Sequence, residues 1–426
     1  MPITGTTRRT FASLNIRNFR LYFIGQSVSL SGTWMQTVGQ AWLVLQITGS
    51  GTALGLITAL QFLPILVLGP WGGVVADRFP KRRILYFTQA VSGVLALALG
   101  LLVASGAVRL WMVGVLALCL GLVNAIDNPA RQTFVLEMVG KEQLQNAVSL
   151  NSVLVNLARV IGPAIAGVLI TSVGLASCFN VNAASYIAVL VGLWMMDGRE
   201  FHPAPVVTRA KGQLREGFRY VTSSPLLRNV LLMMAIIGTL SYEFQVILPL
   251  FAQFTLHGGA GTFAALTGAM GVGSVIGGLY TAGRREVTPE MLVRASLLFG
   301  VVILAAAVAP NLALAIGALV LVGVFSINFL SLGNTTLQLE STGEMRGRVM
   351  ALWAVAFLGS TPVGGPIIGW IGQYAGPRWG LAVGGLAALS AAALGFRTLI
   401  RKPPVTVSDE VKTDAVRAAS SDTRIL

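Results

Sequence analysis

Two ionisable residues stand inside apolar runs with no opposite charge beside them in the sequence: Arg159 and Glu243. Arg159 belongs to a series, Gln145, Ser149, Ser152, Asn156, Arg159, Pro163 and Gly167, that advances by three or four residues and lines one helix face. An arginine there can hold an anionic ligand group or a carboxylate that exchanges a proton. It can equally be structural, bonding carbonyls and asparagine amides. Glu243 sits beside Tyr242, with Thr239, Pro249 and Gln253 around a related face. A carboxyl at that depth can load and release a proton, attract a cationic ligand, or bond a neighbouring helix.

A second kind of chemistry is neutral. Gln26, Ser29, Thr33, Gln36 and Gln40 fall on one stripe, with Gly25, Gly32 and Gly39 beside it. The glycines let helices approach, and the amides and hydroxyls suit the wall of a water-filled cavity for a polar or amphipathic ligand. Gly121, Asn124, Asn128 and Arg131 form a similar stripe. Trp34, Trp42 and Trp353 offer aromatic surface to a bulky ligand, or serve as packing and interfacial anchors.

A third constellation is a charge cluster. Asp77, Arg78, Lys81 and Arg82 share one polar interruption, and Asp127 lies at the end of an apolar run from which it can approach those cations. From the residues alone, the cluster is a basic loop that fixes topology, with an acid nearby. Gly162-Pro163 and Gly365-Pro366 are expected to distort their helices, because proline removes a backbone donor and glycine allows tight crossing.

Enzyme chemistry has no such foothold. His202 and His257 are far apart, Cys119 and Cys178 are single, and Gly271-x-Gly273-x-x-x-Gly277 lies in an apolar run where packing explains it. No metal, cofactor or catalytic site is expected.

The elements that hold these residues follow from composition. Apolar residues make up 54% of the 426 and charged ones 11%, where a soluble domain carries about a quarter charged. Twelve apolar stretches are each long enough to cross a bilayer as a helix. Nearly all of the 30 Lys and Arg fall on one side of the implied membrane; Arg109 and Arg378 lie opposite, and Arg159 lies within a span. That asymmetry places both termini in the cytoplasm. It also assigns the net charge of +14 to topology and lipid headgroups rather than nucleic acid. The first apolar stretch is longer than a signal-peptide core and Gln-rich, so no signal peptide is expected.

The expected organisation is a cytoplasmic segment (1–20), a six-helix half (21–196), a cytoplasmic linker (197–229), a second six-helix half (230–400) and a disordered tail (401–426). In the linker, Leu214, Phe218 and Val221 share the apolar face of an amphipathic helix. Thr133, Glu137, Gly140, Gly162 and Pro163 recur at one constant offset as Thr336, Glu340, Gly343, Gly365 and Pro366, so the halves are parallel repeats.

Gly73-Val-Val-Ala-Asp77-Arg78-Phe-Pro80-Lys81-Arg82-Arg83 resembles the signature loop of the major facilitator superfamily. Arg17-Asn18-Phe19-Arg20, Gly32-Thr33-Trp34-Met35-Gln36 and Asp127-Asn128-Pro129-Ala130-Arg131-Gln132 are similar to its bacterial drug- and siderophore-exporter branch. So are Arg159-Val-Ile-Gly162-Pro163-Ala-Ile-Ala-Gly167, Glu216-Gly217-Phe218-Arg219-Tyr220 and Ser224-Pro225. Enterobactin-exporter-like and macrolide-efflux-like proteins belong to that branch, that of the transmembrane secretion effectors. Pro80 stands where the signature loop usually has Gly, and the matching loop of the second half keeps Gly277, Gly278, Arg284 and Arg285 but has Ala282 near the acidic position. The Arg-x-x-Gln-Gly pattern of the best-known drug/proton antiporters is absent from span 4.

The resemblance implies an all-α polytopic fold, with spans 1, 4, 7 and 10 lining a central cavity and the charge cluster latching the two halves. It also implies that the Gly-Pro of span 5 corresponds to the antiporter motif of exporters. The function expected is proton-driven export of bulky amphipathic compounds, drugs or siderophore-like chelators, by alternating access. The partners expected are a small-molecule substrate and the bilayer, with no cofactor, in a monomer in the bacterial cytoplasmic membrane. Proton-coupled nutrient import and flippase-like lipid handling are the alternatives.

Overall fold

The computed structural model describes residues 11–202, 213–283, 286–357 and 359–400, and leaves the side chains of Pro70, Asp77, Gln213 and Leu214 undescribed. The expected tail, the first ten residues, Arg284, Arg285 and the linker from Pro203 to Gly212 lie outside the described residues.

The first half consists of α1 (Arg17–Thr48), α2 (Gly51–Arg78), α3 (Lys81–Ala104), α4 (Leu110–Ser172) and α5 (Leu175–Met195). At 63 residues α4 is far too long for one crossing of a bilayer about 30 Å thick. It folds back at Gly140, whose φ of 69° is open to glycine and costly for other residues. α4 therefore supplies two of the twelve crossings. α1, with 32 residues, is long enough for another, although its glutamines and hydroxyls make it the most polar span.

A short amphipathic helix, α6 (Gln213–Ser223), joins the halves. Val221 is buried and Phe218 is 62% exposed, while the Leu214 side chain lies outside the described residues. Polar contacts tie α6 down: Glu216 pairs with Arg348 at 2.8 Å, and the Tyr220 hydroxyl accepts the Thr342 N–H at 3.3 Å.

The second half consists of α7 (Pro225–Leu240), α8 (Phe244–Leu250), α9 (Ala260–Ala282), α10 (Pro289–Val308), α11 (Leu312–Glu340), α12 (Gly343–Phe357), α13 (Thr361–Tyr374) and α14 (Pro377–Gly395). Side-chain caps set several starts: Ser224 before Pro225, Thr288 before Pro289 and Asn311 before Leu312 each accept a first-turn N–H. α7–α8 and α12–α13 are single crossings broken near their middles.

The packing repeats between halves. α1 and α3 pack on α5 as α7 and α10 pack on α14, and α2 packs on the first arm of α4 as α9 packs on α11. Two seams join the halves, α2 against α13 and the second arm of α4 against α9. Only 33% of the most apolar stretch of α3 is buried by protein, and Phe87, Trp111, Trp194 and Leu279 point outward. A surface this apolar needs lipid around it.

Candidate functional site: the cavity between the halves

At the short-loop end both seams are tight. A side chain on Gly55 would start 2.3 Å from the Gly365 carbonyl, and one on Gly369 would start 2.2 Å from that of Gly51. The backbones of α2 and α13 thus meet with nothing between them, and Gln373 accepts from the Ser50 hydroxyl at 2.6 Å and the Thr52 N–H at 3.1 Å. On the other seam a side chain on Gly167 would start 2.9 Å from the Ala264 β-carbon, and deeper in the membrane the Arg159 carbonyl lies against Gly271, 2.7 Å from where a β-carbon would stand. Toward the basic-loop end, Gln145, Ser149 and Ser152 of α4 are exposed.

Between the seams lies a cavity of about 450 Å³. Ser29, Thr33, Gln36 and Gln40 of α1 and Asn124, Asn128 and Arg131 of α4 line it from the first half, together with Arg159. Tyr242, Glu243, Thr267 and Thr361 line it from the second. Gln40 donates to Gln61 at 3.1 Å, and Gln36 accepts from Asn182 at 2.6 Å. The amides of the wall are thus held by other amides. Gln26 is not on the wall: it is buried behind it and accepts from Arg131 at 3.3 Å.

The Arg159 guanidinium lies over the Trp34 ring, 5.1 Å from its centroid, with Nε lacking a partner. Among the described residues no carboxylate pairs with it. Its carbonyl is the one that Pro163, having no N–H, cannot bond within the helix, and it is this carbonyl that meets Gly271.

Glu243 stands where α7 has ended and α8 has not begun, with φ −82° and ψ 38°. The side chain is 4% exposed, the Thr361 hydroxyl lies beside the carboxyl, and Oε1 has no hydrogen-bond partner. Across from it are the glycines of α13: Oε1 is 3.0 Å from the β-carbon position of Gly364 and Oε2 is 3.5 Å from that of Gly365. Tyr242 donates to the Ser326 carbonyl at 2.7 Å and packs edge-on against Phe357, with ring centroids 4.7 Å apart. The two broken helices thus meet at the acid.

The expected approach of Asp127 to the loop cations is not the arrangement found. Asp127 is 1% exposed and takes the Thr88 hydroxyl at 2.6 Å, the Gln89 amide at 2.9 Å and the guanidinium of Arg131. The reason is depth. Thr88 and Gln89 lie two turns beyond Lys81 on α3, roughly 10 Å into the membrane, and Arg131 is one turn from Asp127 on its own helix. Lys81 pairs instead with Glu137 at 3.0 Å. Arg82 donates to the carbonyls of Leu193 and Trp194 at 2.9 and 3.2 Å, capping α5. Arg78 is exposed, and the Asp77 side chain is outside the described residues.

The helices are not broken at the Gly-Pro pairs. α4 is helical through Gly162-Pro163 and α13 through Gly365-Pro366. Gly162 and Gly365 are crossing points, the former against Trp34 and Ser31 of α1. The breaks fall at Gly140, at residues 241–243 and just before Thr361.

The family model for transmembrane secretion effectors matches residues 8–420. The chain belongs to that family. The transmembrane secretion effectors are membrane transporters, not enzymes, and this one has the major facilitator fold. It is 26% identical over 344 residues to the staphyloferrin A transporter of Staphylococcus aureus, covering 78% of this chain and 84% of that one. Over 396 residues it is 26% identical to the enterobactin exporter of Citrobacter koseri, covering 91% and 94%. Among solved structures, a bacterial homologue of the human lysosomal transporter Spinster in an inward-facing, unoccupied conformation superposes with a TM-score of 0.68 at 15% identity, covering 89% and 96%. A nucleoside transporter superposes at 0.70 and 11% identity, covering 91% and 99%.

Proposed function

We propose that this transmembrane secretion effector exports bulky amphipathic compounds, drugs or siderophore-like chelators, by alternating access driven by the proton gradient. The observation that carries this reading is the cavity itself. It is sealed by glycine contacts at the short-loop end, and on its wall Arg131 is paired with Asp127 whereas, among the described residues, Arg159 and Glu243 are in no ion pair and each keeps a polar atom without a hydrogen-bond partner. With the basic loops in the cytoplasm, this is the state in which an exporter loads. Amide, hydroxyl and aromatic walls suit a large ligand of mixed polarity, and Arg159 suits one that carries an acidic group. The siderophore transporters and exporters among the relatives support that substrate class. Glu243, at the junction of the two broken helices, is the group placed to couple protonation to movement of the seam.

No bound cofactor enters this scheme, and a single chain in the bacterial cytoplasmic membrane contains the whole cavity. The test compares a deletion strain with its complemented parent for resistance to a compound panel and for chelators in the medium. Loss of either on deletion, restored by the wild type but not by Glu243→Gln at equal expression, is the expected result. An unchanged resistance profile and medium, together with uptake of a solute by the purified protein, would reverse the direction assigned.

A further inference from the structure

α1 and the second arm of α4 cross at Gly162. A β-carbon there would stand 2.5 Å from that of Trp34 and 2.7 Å from the Ser31 carbonyl, so Trp34 is rooted where the two backbones touch. Its indole lies under the face of the Arg159 guanidinium, whose carbon is 5.1 Å from the ring centroid. A guanidinium is planar, so a ring against one face leaves its edges to make hydrogen bonds. One edge is closed, because Nε is buried and has no partner. The other edge carries the terminal nitrogens, Nη1 and Nη2. Among the described residues they hydrogen-bond nothing, and they open into the cavity that Trp34 and Arg159 both line. The Arg159 carbonyl rests against Gly271 of the second half, so the main chain is held as well as the ring.

We propose that Trp34 is a positioning residue that makes the cavity select carboxylates among amphipathic compounds of one shape. The inference rests on the reading of this cavity as the substrate site. Stacking fixes the plane of the guanidinium and turns its terminal fork toward the ligand. A fork held in one plane matches a carboxylate, whose two oxygens accept both N–H groups in parallel. A carboxamide of the same outline offers one oxygen and no charge. Without the indole, the long arginine side chain regains rotamer freedom that must be lost again on binding. The cost falls on the ligand that needs the fork and leaves the neutral one untouched.

Purified protein in detergent, titrated calorimetrically with 2-naphthoate and with 2-naphthamide, tests this. The probes share one ring system and differ in the acidic group. The readout is the ratio of the two affinities, because loss of indole surface weakens both alike. The wild type should favour the naphthoate about tenfold, as a charge-assisted fork provides. Trp34→Leu should reduce the ratio to about twofold through loss of the cation–π contact. Trp34→Phe, which keeps a ring face, should give an intermediate ratio. Adding Trp34→Leu to Arg159→Lys should lower the ratio no further, since the tryptophan acts through the fork. An undiminished ratio in Trp34→Leu overturns the proposal, as does a further loss in the double variant. A wild type that binds both probes equally overturns the acidic-substrate reading itself, and this inference with it.

Discussion

Oε1 of Glu243 lies 3.0 Å from the point where Gly364 would carry a β-carbon. The acid therefore borders the backbone of α13, and the neighbouring glycine, Gly365, is the one that meets Gly55 across the seam. A change of charge at Glu243 is felt one residue from the contact that closes the short-loop end. This adjacency is why a single carboxyl is assigned both the proton and the seam.

Alanine at Gly55 should open that end. Its β-carbon would stand 2.3 Å from the Gly365 carbonyl, and overpacking of this kind costs about 1–3 kcal/mol. Cysteines replacing Ser50 and Gln373 should cross-link readily in the parent. The yield should fall several-fold when Gly55→Ala is added, with the protein still monodisperse on gel filtration.

Asp127→Asn should destabilise the first half, because it leaves the Arg131 guanidinium without its counter-charge. Breaking a fully buried pair costs about 3–5 kcal/mol, and the effect here should be smaller because Arg131 is 23% exposed. Thermal unfolding in detergent reads it as a lowered midpoint. Asp127→Asn combined with Arg131→Gln should lose less than the two single changes summed.

Arg159→Lys should impair transport of an acidic substrate while leaving the fold intact. Lysine keeps the charge but not the planar stacking on Trp34 or the forked donors. Binding of an acidic chelator should weaken about tenfold, with an unchanged unfolding midpoint. A midpoint that falls while binding is unaltered would mark Arg159 as structural.

Exchange of the ends of the Lys81–Glu137 pair tests whether the signature loop needs that contact. Lys81→Glu should lower transport, and Lys81→Glu/Glu137→Lys should recover part of it, since the side chains are only 12% and 11% exposed and feel each other's charge. Rates in the three proteins at matched expression decide the matter.

Much of this architecture was legible in the sequence because membrane spans declare themselves by length and charge scarcity. The stripe from Ser29 to Gln40 was legible for a related reason: amides at helical spacing in an apolar run need a wet or amide-lined wall. The breaks were not. Leu240-Ser241-Tyr242-Glu243 contains neither glycine nor proline, whereas Pro249, which looks like a breaker, lies inside α8. Gly162-Pro163 and Gly365-Pro366 lie within continuous helix, and Gly162 and Gly365 are points where neighbouring helices cross. The pairing of Asp127 with Arg131 is an i, i+4 spacing, and depth rather than charge type separates Asp127 from the basic loop. Gln26 shared the periodicity of the wall, and only its position behind Arg131 removed it from the surface. Thr88, Gln89, Gln61 and Thr361 carried no sequence signal beyond being polar in apolar helices, and they became visible once their partners were placed.

The central claim is that Glu243 couples the proton gradient to outward movement of an acidic amphipathic compound. Inside-out proteoliposomes containing the wild type or Glu243→Gln, offered an acidic siderophore-like chelator outside and given an acidic lumen, measure it directly. The account predicts accumulation by the wild type only while the gradient stands, and none by Glu243→Gln despite retained chelator binding. Accumulation by Glu243→Gln equal to that of the wild type, or accumulation indifferent to the gradient, would contradict it.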